Sequence, residues 1–226
     1  LTGLEALIRW QDPELGLVSP ASFIPLMEET GLILDVGRWA LQRATEDHRH
    51  WTALGLQPPR VAVNVSSIQL RQRDFVDIVA RAAAAFGSAD VALDLEITES
   101  VIMENMEEMT RKLQALHALG VRIAMDDFGT GYSSLSCIAQ LPIHTLKIDR
   151  SFVTGMVSSE YRRNIVTMII QLAHALRLDV VAEGVDAEAQ LRILEELGCD
   201  SMQGYLASKP LPAHEIAALM RRVVQG

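Results

Sequence analysis

Short, almost wholly apolar runs alternate along this chain with longer amphipathic stretches, and that alternation leaves few folds open. RVAVNV at Arg60 to Val65, the run Val91 to Ile97, VRIAM at Val121 to Met125, His144 to Asp149 and Leu178 to Ala182 read as strands buried on both faces. GLEALIRW at Gly3 to Trp10 reads as an earlier strand, with Glu5, Leu7 and Arg9 on one face. A last short strand leads to Gln203. Between them, helices are predicted from Ser19-Pro20 through Glu29, Asp35 to Gly55, about Asp74 to Phe86, Asn105 to Gly120, about Ser133 to Gln140, Glu160 to Arg177, Asp186 to Gly198 with Asp186 as N-cap, and Ala213 to Val224. Asn105 and Glu108 form a capping-box-like start. Strand followed by helix, seven times over, predicts a parallel sheet covered by helices, one unit short of a closed eight-stranded barrel. The runner-up is an open doubly wound sheet, but no GxGxxG opens any helix.

The 226 residues show no Pro/Ser/Gly-rich linker, so one domain spanning 1–226 is expected. No apolar run approaches the roughly 20 residues of a membrane span, and no signal-peptide pattern opens the chain. Cys137 and Cys199 stand apart without metal-finger spacing, which fits a reducing, cytoplasmic setting. A formal net charge of −9 argues against a polynucleotide partner. It leaves room for a small anionic ligand, because bound divalent cations reverse the local field.

The polar residues that interrupt the strands all fall at one place in the repeat, the carboxyl end: Glu5, Asn64, Glu96, Asp126 with Asp127, Lys147 with Asp149, Glu183, and Gln203. In a barrel those ends surround the mouth where catalysis sits. Singly they have ordinary readings: Glu96, Glu99 and Asp186 as favourable charges near helix starts, Lys147 and Asp149 as an ion pair. Together they form an oxygen-donor set that cannot stay ionised without cations, which suits Mg²⁺ or Mn²⁺. These residues point to a two-metal phosphodiesterase or a metal-assisted lyase. Asp127-Phe128-Gly129 spells a kinase motif, yet no glycine-rich loop or HRD accompanies it; HExxH and GxSxG are missing as well.

The ordered set Glu5-Ala6-Leu7 within GLEALIRW, then VNVSSIQL, LDLEITES, DDFGTGYSSL, LKIDRSFV, VAEGV and QGYLASKP resembles the EAL domains, the bacterial cyclic-di-GMP phosphodiesterases, over essentially the whole chain. The resemblance implies a modified (β/α)₈ TIM-type barrel of the α/β class. The antiparallel N-terminal strand usual in the family, with its Gln-Pro pair, lies outside this sequence, which reads as truncated. It implies that Glu5, Asn64, Glu96 and Asp126 hold one cation and that Asp126 bridges to a second, also held by Asp127. Lys147 and Glu183 would flank the activated water, with Glu183 as general base. Asp149 would steady the lysine and water network. Leu7, Arg9 and Gln203 would meet the substrate, Arg9 at a phosphate. Glu99 would anchor the Asp127-to-Leu135 loop.

The activity so implied is hydrolysis of cyclic-di-GMP to linear pGpG with two divalent cations, Mg²⁺ or Mn²⁺, and Ca²⁺ inhibitory. The alternative is a receptor module that binds cyclic-di-GMP without cutting it. Implied partners are a second copy of the chain, met through the region after that loop, and an N-terminal GGDEF or sensor domain. The domain itself is expected to make no membrane contact. One departure stands out: Asp186-Ala187 follows AEGV where the family has Glu-Thr. The shorter carboxylate is expected to tune the rate.

Overall fold

The computed structural model describes residues 1–87, 91–99, 101, 105–129 and 138–225. Its contacts divide the chain into two compact units, residues 1–95 with 115–121 and 212–226, and residues 96–114 with 122–211.

In the first unit, β1 (Gly3–Ala6) runs parallel to β4 (Arg60–Asn64), with Glu5 opposite Ala62. The Val61 N–H donates to Ala92 O, joining β4 to the segment entering β5 (Leu93–Thr98). The strand expected over Gly3 to Trp10 stops at Ala6, because its partner β4 ends at Asn64 and the ladder has nothing further to pair with. Leu7 and Arg9 are therefore exposed and off the strand. Trp10 instead opens a hairpin, β2 (Trp10–Asp12) against β3 (Gly16–Val18). Asp12 Oδ1 turns it by accepting the N–H groups of Glu14 and Leu15, which hold its carboxyl below the usual value.

Helices Pro20–Thr30, Ile33–Ala53, Ser67–Arg71 and Phe75–Ala84 cover this unit. Phe23, Leu41, Leu70, Phe75 and Val79 form its core. Ser67–Arg71 is a single turn begun by a capping box between Ser66 and Gln69, too short for its periodicity to show in sequence. The terminal helix Ala213–Gln225 is tied in by Trp51 Nε1–H donating to Ala213 O.

The second unit holds the end of β5, then β6 (Arg122–Phe128), β7 (Thr145–Ile148), β8 (Asp179–Ala182) and β9 (Ser201–Met202) in spatial order, with β6 to β9 pairing parallel. Ile123, Met125, Leu146, Ile148, Val166, Val180 and Ala182 are buried, as strands covered on both faces require. Helices Arg150–Val153, Glu160–Ala175 and Glu188–Glu196 follow β7 and β8. The expected contact between Asn105 and Glu108 is present at the start of the helix Met106–Ala118.

The boundaries of the helices that flank β8 differ from expectation. The helix after residue 160 ends at Ala175, before Arg177 turns left-handed at φ 61°. Asp186 is not an N-cap: the helix begins at Glu188, and Gln190 Oε1 accepts the N–H groups of both Asp186 and Ala187. A side chain inside the first turn thus satisfies those donors, which frees the Asp186 carboxylate. Most of the helix expected over Ser133 to Gln140 lies outside the described residues. Among the described residues, no helix is long and apolar enough to cross a membrane.

Candidate active site

Adjacent residues in a regular strand point to opposite faces. Asp126 and Asp127 escape that rule because the β6–β7 register shifts between Met125 and Phe128, and Asp127 takes φ 55°, rare for a residue with a Cβ. The strand expected to end at the two acids thereby continues to Phe128. The Asp127 N–H donates to Asp126 Oδ1 at 3.0 Å. One carboxylate oxygen from each of Asp126, Asp127 and Glu183 lies within 4.8 Å of the others. Oxygen atoms of three half-buried carboxylates at that spacing are a hard donor set of the kind Mg²⁺ or Mn²⁺ takes, so these residues fit a divalent cation.

Lys147 stands among them. β7 delivers it into an environment where it is only 2% exposed, beside Glu96 at 4%. Its ammonium lies 2.6 Å from Glu183 Oε1, 2.8 Å from Glu96 Oε1 and 3.5 Å from Asp126 Oδ1. One ammonium is thus shared by three carboxylates. Burial first, then Asp126 and Asp149 nearby, push the Asp127 carboxyl above its usual value, with Lys147 opposing. Asp149, expected on the strand face beside Lys147, sits just past the end of β7 as N-cap of Arg150–Val153, accepting the Ser151 N–H at 3.0 Å, and helps to raise the Asp127 carboxyl.

Glu99, 3% exposed, accepts the Gly129 N–H on Oε2 at 3.2 Å, a direct hold on the segment leaving β6. Residues 130–137 of that loop lie outside the described residues. Gln203 follows β9, its N–H donating to Ala182 O and its carbonyl accepting from Val185 N–H. In the first unit, Asn64 Nδ2–H donates to Glu5 Oε1 at 2.6 Å, uniting two of the expected ligands at the ends of β1 and β4. Arg9 is exposed and donates to the neighbouring carbonyl of Ile8. Sequence reasoning did not find the partners of Asp186: Oδ2 lies 3.2 Å from Arg150 Nη2 and Oδ1 accepts the Tyr205 N–H at 3.1 Å.

The sequence profile of the EAL domain matches residues 1–210. The bifunctional diguanylate cyclase/cyclic di-GMP phosphodiesterase MucR of Pseudomonas aeruginosa is 42% identical over 218 residues, which cover 96% of this chain and 32% of MucR. The cyclic di-GMP phosphodiesterase NbdA of the same organism is also 42% identical over 218 residues, covering 96% of this chain and 28% of NbdA. A solved structure of the P. aeruginosa MucR phosphodiesterase in complex with c-di-GMP matches with a TM-score of 0.91 and 42% identity, over 96% of this chain and 87% of that one. The chain spans about a third of the length of the curated relatives it matches. The α/β architecture expected from the sequence is thus the fold of these relatives, and the chain belongs to the EAL domain family.

Proposed function

We propose that this domain hydrolyses cyclic-di-GMP to linear pGpG. The observation that carries the reading is the grouping of buried Lys147 and Glu96 with half-buried Asp126 and Glu183, beside the raised carboxyl of Asp127, within a family whose named relatives include cyclic di-GMP phosphodiesterases. Asp126, Asp127 and Glu96 would hold divalent cations, Mg²⁺ or Mn²⁺, which when bound lower the pKa of a water and neutralise phosphodiester charge. Glu5 and Asn64 join that ligand set through the family motifs that contain them.

Glu183 takes the proton of the attacking water, for which its half-buried carboxylate is placed and held by the Lys147 ammonium. Lys147 stabilises charge that develops on the phosphoryl oxygens as the ribose 3′-oxygen leaves. Asp149 orders the network from the end of β7, and Glu99 fixes the exit from β6. Leu7, Arg9 and Gln203 meet the dinucleotide. A second copy of the chain docks through the region after residue 135.

Purified chain incubated with cyclic-di-GMP and Mn²⁺ or Mg²⁺ is expected to form pGpG, separated by chromatography. Chelation, and the substitution Glu5→Ala, should stop it. Tight binding of the dinucleotide without any pGpG, under every cation tried, would replace the hydrolase with the receptor reading.

A further inference from the structure

Gly37 is buried inside the helix Ile33–Ala53, at a position where alanine would be the better helix former. The space beside it is already taken: the amide nitrogen of Gln69 occupies the position of a Cβ on residue 37. Gln69 is only 4% exposed, and its amide is committed elsewhere as well. Its Oε1 accepts the Ser66 N–H at 3.1 Å, while the Gln69 N–H donates to Ser66 Oγ at 3.3 Å. Ser66 stands two residues past Asn64, with buried Val65 between them. The chain is thus pinned just beyond the end of β4. Asn64 Nδ2–H donates to Glu5 Oε1 at 2.6 Å, which leaves Asn64 Oδ1 as the kind of oxygen a hard cation takes.

We propose that Gln69, seated against Gly37, is a positioning residue for Asn64: it fixes the chain's exit from β4 and with it the orientation of Asn64 as a cation ligand. The inference rests on the part of the phosphodiesterase reading that makes Asn64 a ligand, and it adds two residues that act only through Asn64. The helix Ser67–Arg71 is a single turn, too short to stand on its own hydrogen bonds. Its place at the end of β4 depends on the capping box and on packing against the helix Ile33–Ala53. A methyl group on residue 37 has to push the Gln69 amide aside, which takes the acceptor away from the Ser66 N–H. Deleting the amide has the same consequence. Groups that orient a metal ligand from behind are worth about 10 to 100-fold in metal affinity.

The test compares the chain with Gly37→Ala, Gln69→Ala, the double variant and Asn64→Ala by three measurements: Mn²⁺ affinity from electron paramagnetic resonance titration, the thermal midpoint in chelator, and pGpG formation. Gly37→Ala and Gln69→Ala are each expected to weaken Mn²⁺ binding about tenfold and to lower the midpoint. In the double variant the new methyl group enters space that the amide has vacated, and alanine favours the helix. Its midpoint therefore recovers toward the parent, while Mn²⁺ affinity stays as low as in either single variant. Asn64→Ala lowers the affinity too and leaves little for Gln69→Ala to add. Affinity that follows the midpoint back up in the double variant, or that is unchanged in both single variants, overturns the proposal and leaves the hydrolase in place. Unchanged affinity in Asn64→Ala removes Asn64 from the ligand set and the proposal with it. A parent chain that binds Mn²⁺ but forms no pGpG overturns the hydrolase reading alone, because the affinities still decide the role of Gln69.

Discussion

Along β6 to β9, charges at the amino ends meet in pairs, whereas those at the carboxyl ends are crowded. At the amino ends, Arg122 opens β6 and lies 2.6 Å from Asp179, which opens β8. Between them, His144 Nδ1 accepts the Ile123 N–H and the His144 carbonyl accepts the Asp179 N–H. Asp200 Oδ2 accepts the Val180 N–H and sits 2.9 Å from His174 Nε2. Each of these named groups has a partner. At the carboxyl ends, three carboxylates converge on the Lys147 ammonium, with Asp127 and Asp149 close by. The same parallel strands support both arrangements. One end is built to hold the strands in place, and the other gathers carboxylates of the kind that could hold a divalent cation.

The comparison is broken most severely at Lys147. Replacing it with Met leaves Glu96 buried without its cation, and losing one partner of a buried pair costs about 3–5 kcal/mol. Urea unfolding in the presence of chelator should register that loss. Added Mn²⁺ should restore much of it by supplying positive charge to the same acids. A Lys147→Met chain as stable as the parent under chelation would show that the carboxylates do not depend on the ammonium.

Asp127→Asn should act in the opposite sense on stability and the same sense on turnover. It removes the carboxyl that burial, Asp126 and Asp149 push upward, so the cation-free chain should melt at or above the parent's midpoint. Turnover should fall about 100-fold or more, since even contacts behind a metal ligand are worth 10 to 100-fold in affinity. The parent's pH dependence follows from the sign of the shift. The folded chain holds the Asp127 proton more tightly than the unfolded chain does. That contribution is complete below the ordinary value of 3.8 and is lost as pH rises through the raised folded value. The thermal shift on adding Mn²⁺ should therefore be larger at pH 8 than at pH 5 in the parent, and the difference should shrink in Asp127→Asn. An equal shift at both pH values in the parent would separate Asp127 from the cation.

The crowded end was legible in the sequence because acids are out of place in apolar strands: Glu96, Asp126, Lys147 and Glu183 each interrupt a run of buried residues. Helix ends were legible at Gly87, Gly120 and Gly198, all left-handed, as a chain leaving a helix requires. What was not legible depends on contacts between distant segments. Alternation continues unbroken through GLEALIRW, so only the length of the neighbouring β4 decides that β1 stops at Ala6. The bulge that brings Asp126 and Asp127 together arises from pairing with β7 and has no local signature. Asp186 followed by a helical pattern reads as a cap until Gln190 is seen to fill that place.

The paired end should yield the smallest effect, and its smallness sharpens the contrast. Arg122 and Asp179 are partly exposed, with side-chain accessibilities of 36% and 61%. Exposed ion pairs contribute about 0.2–1 kcal/mol. Arg122→Gln should thus lower the melting midpoint by no more than about 4 °C and leave kcat and KM for cyclic-di-GMP unchanged. Salt should narrow even that gap, because an exposed pair is screened whereas the Lys147 group, shut away from solvent, is not. If Arg122→Gln slowed turnover tenfold with the midpoint intact, the amino ends would be coupled to the chemistry and the division of labour between the two ends would fail.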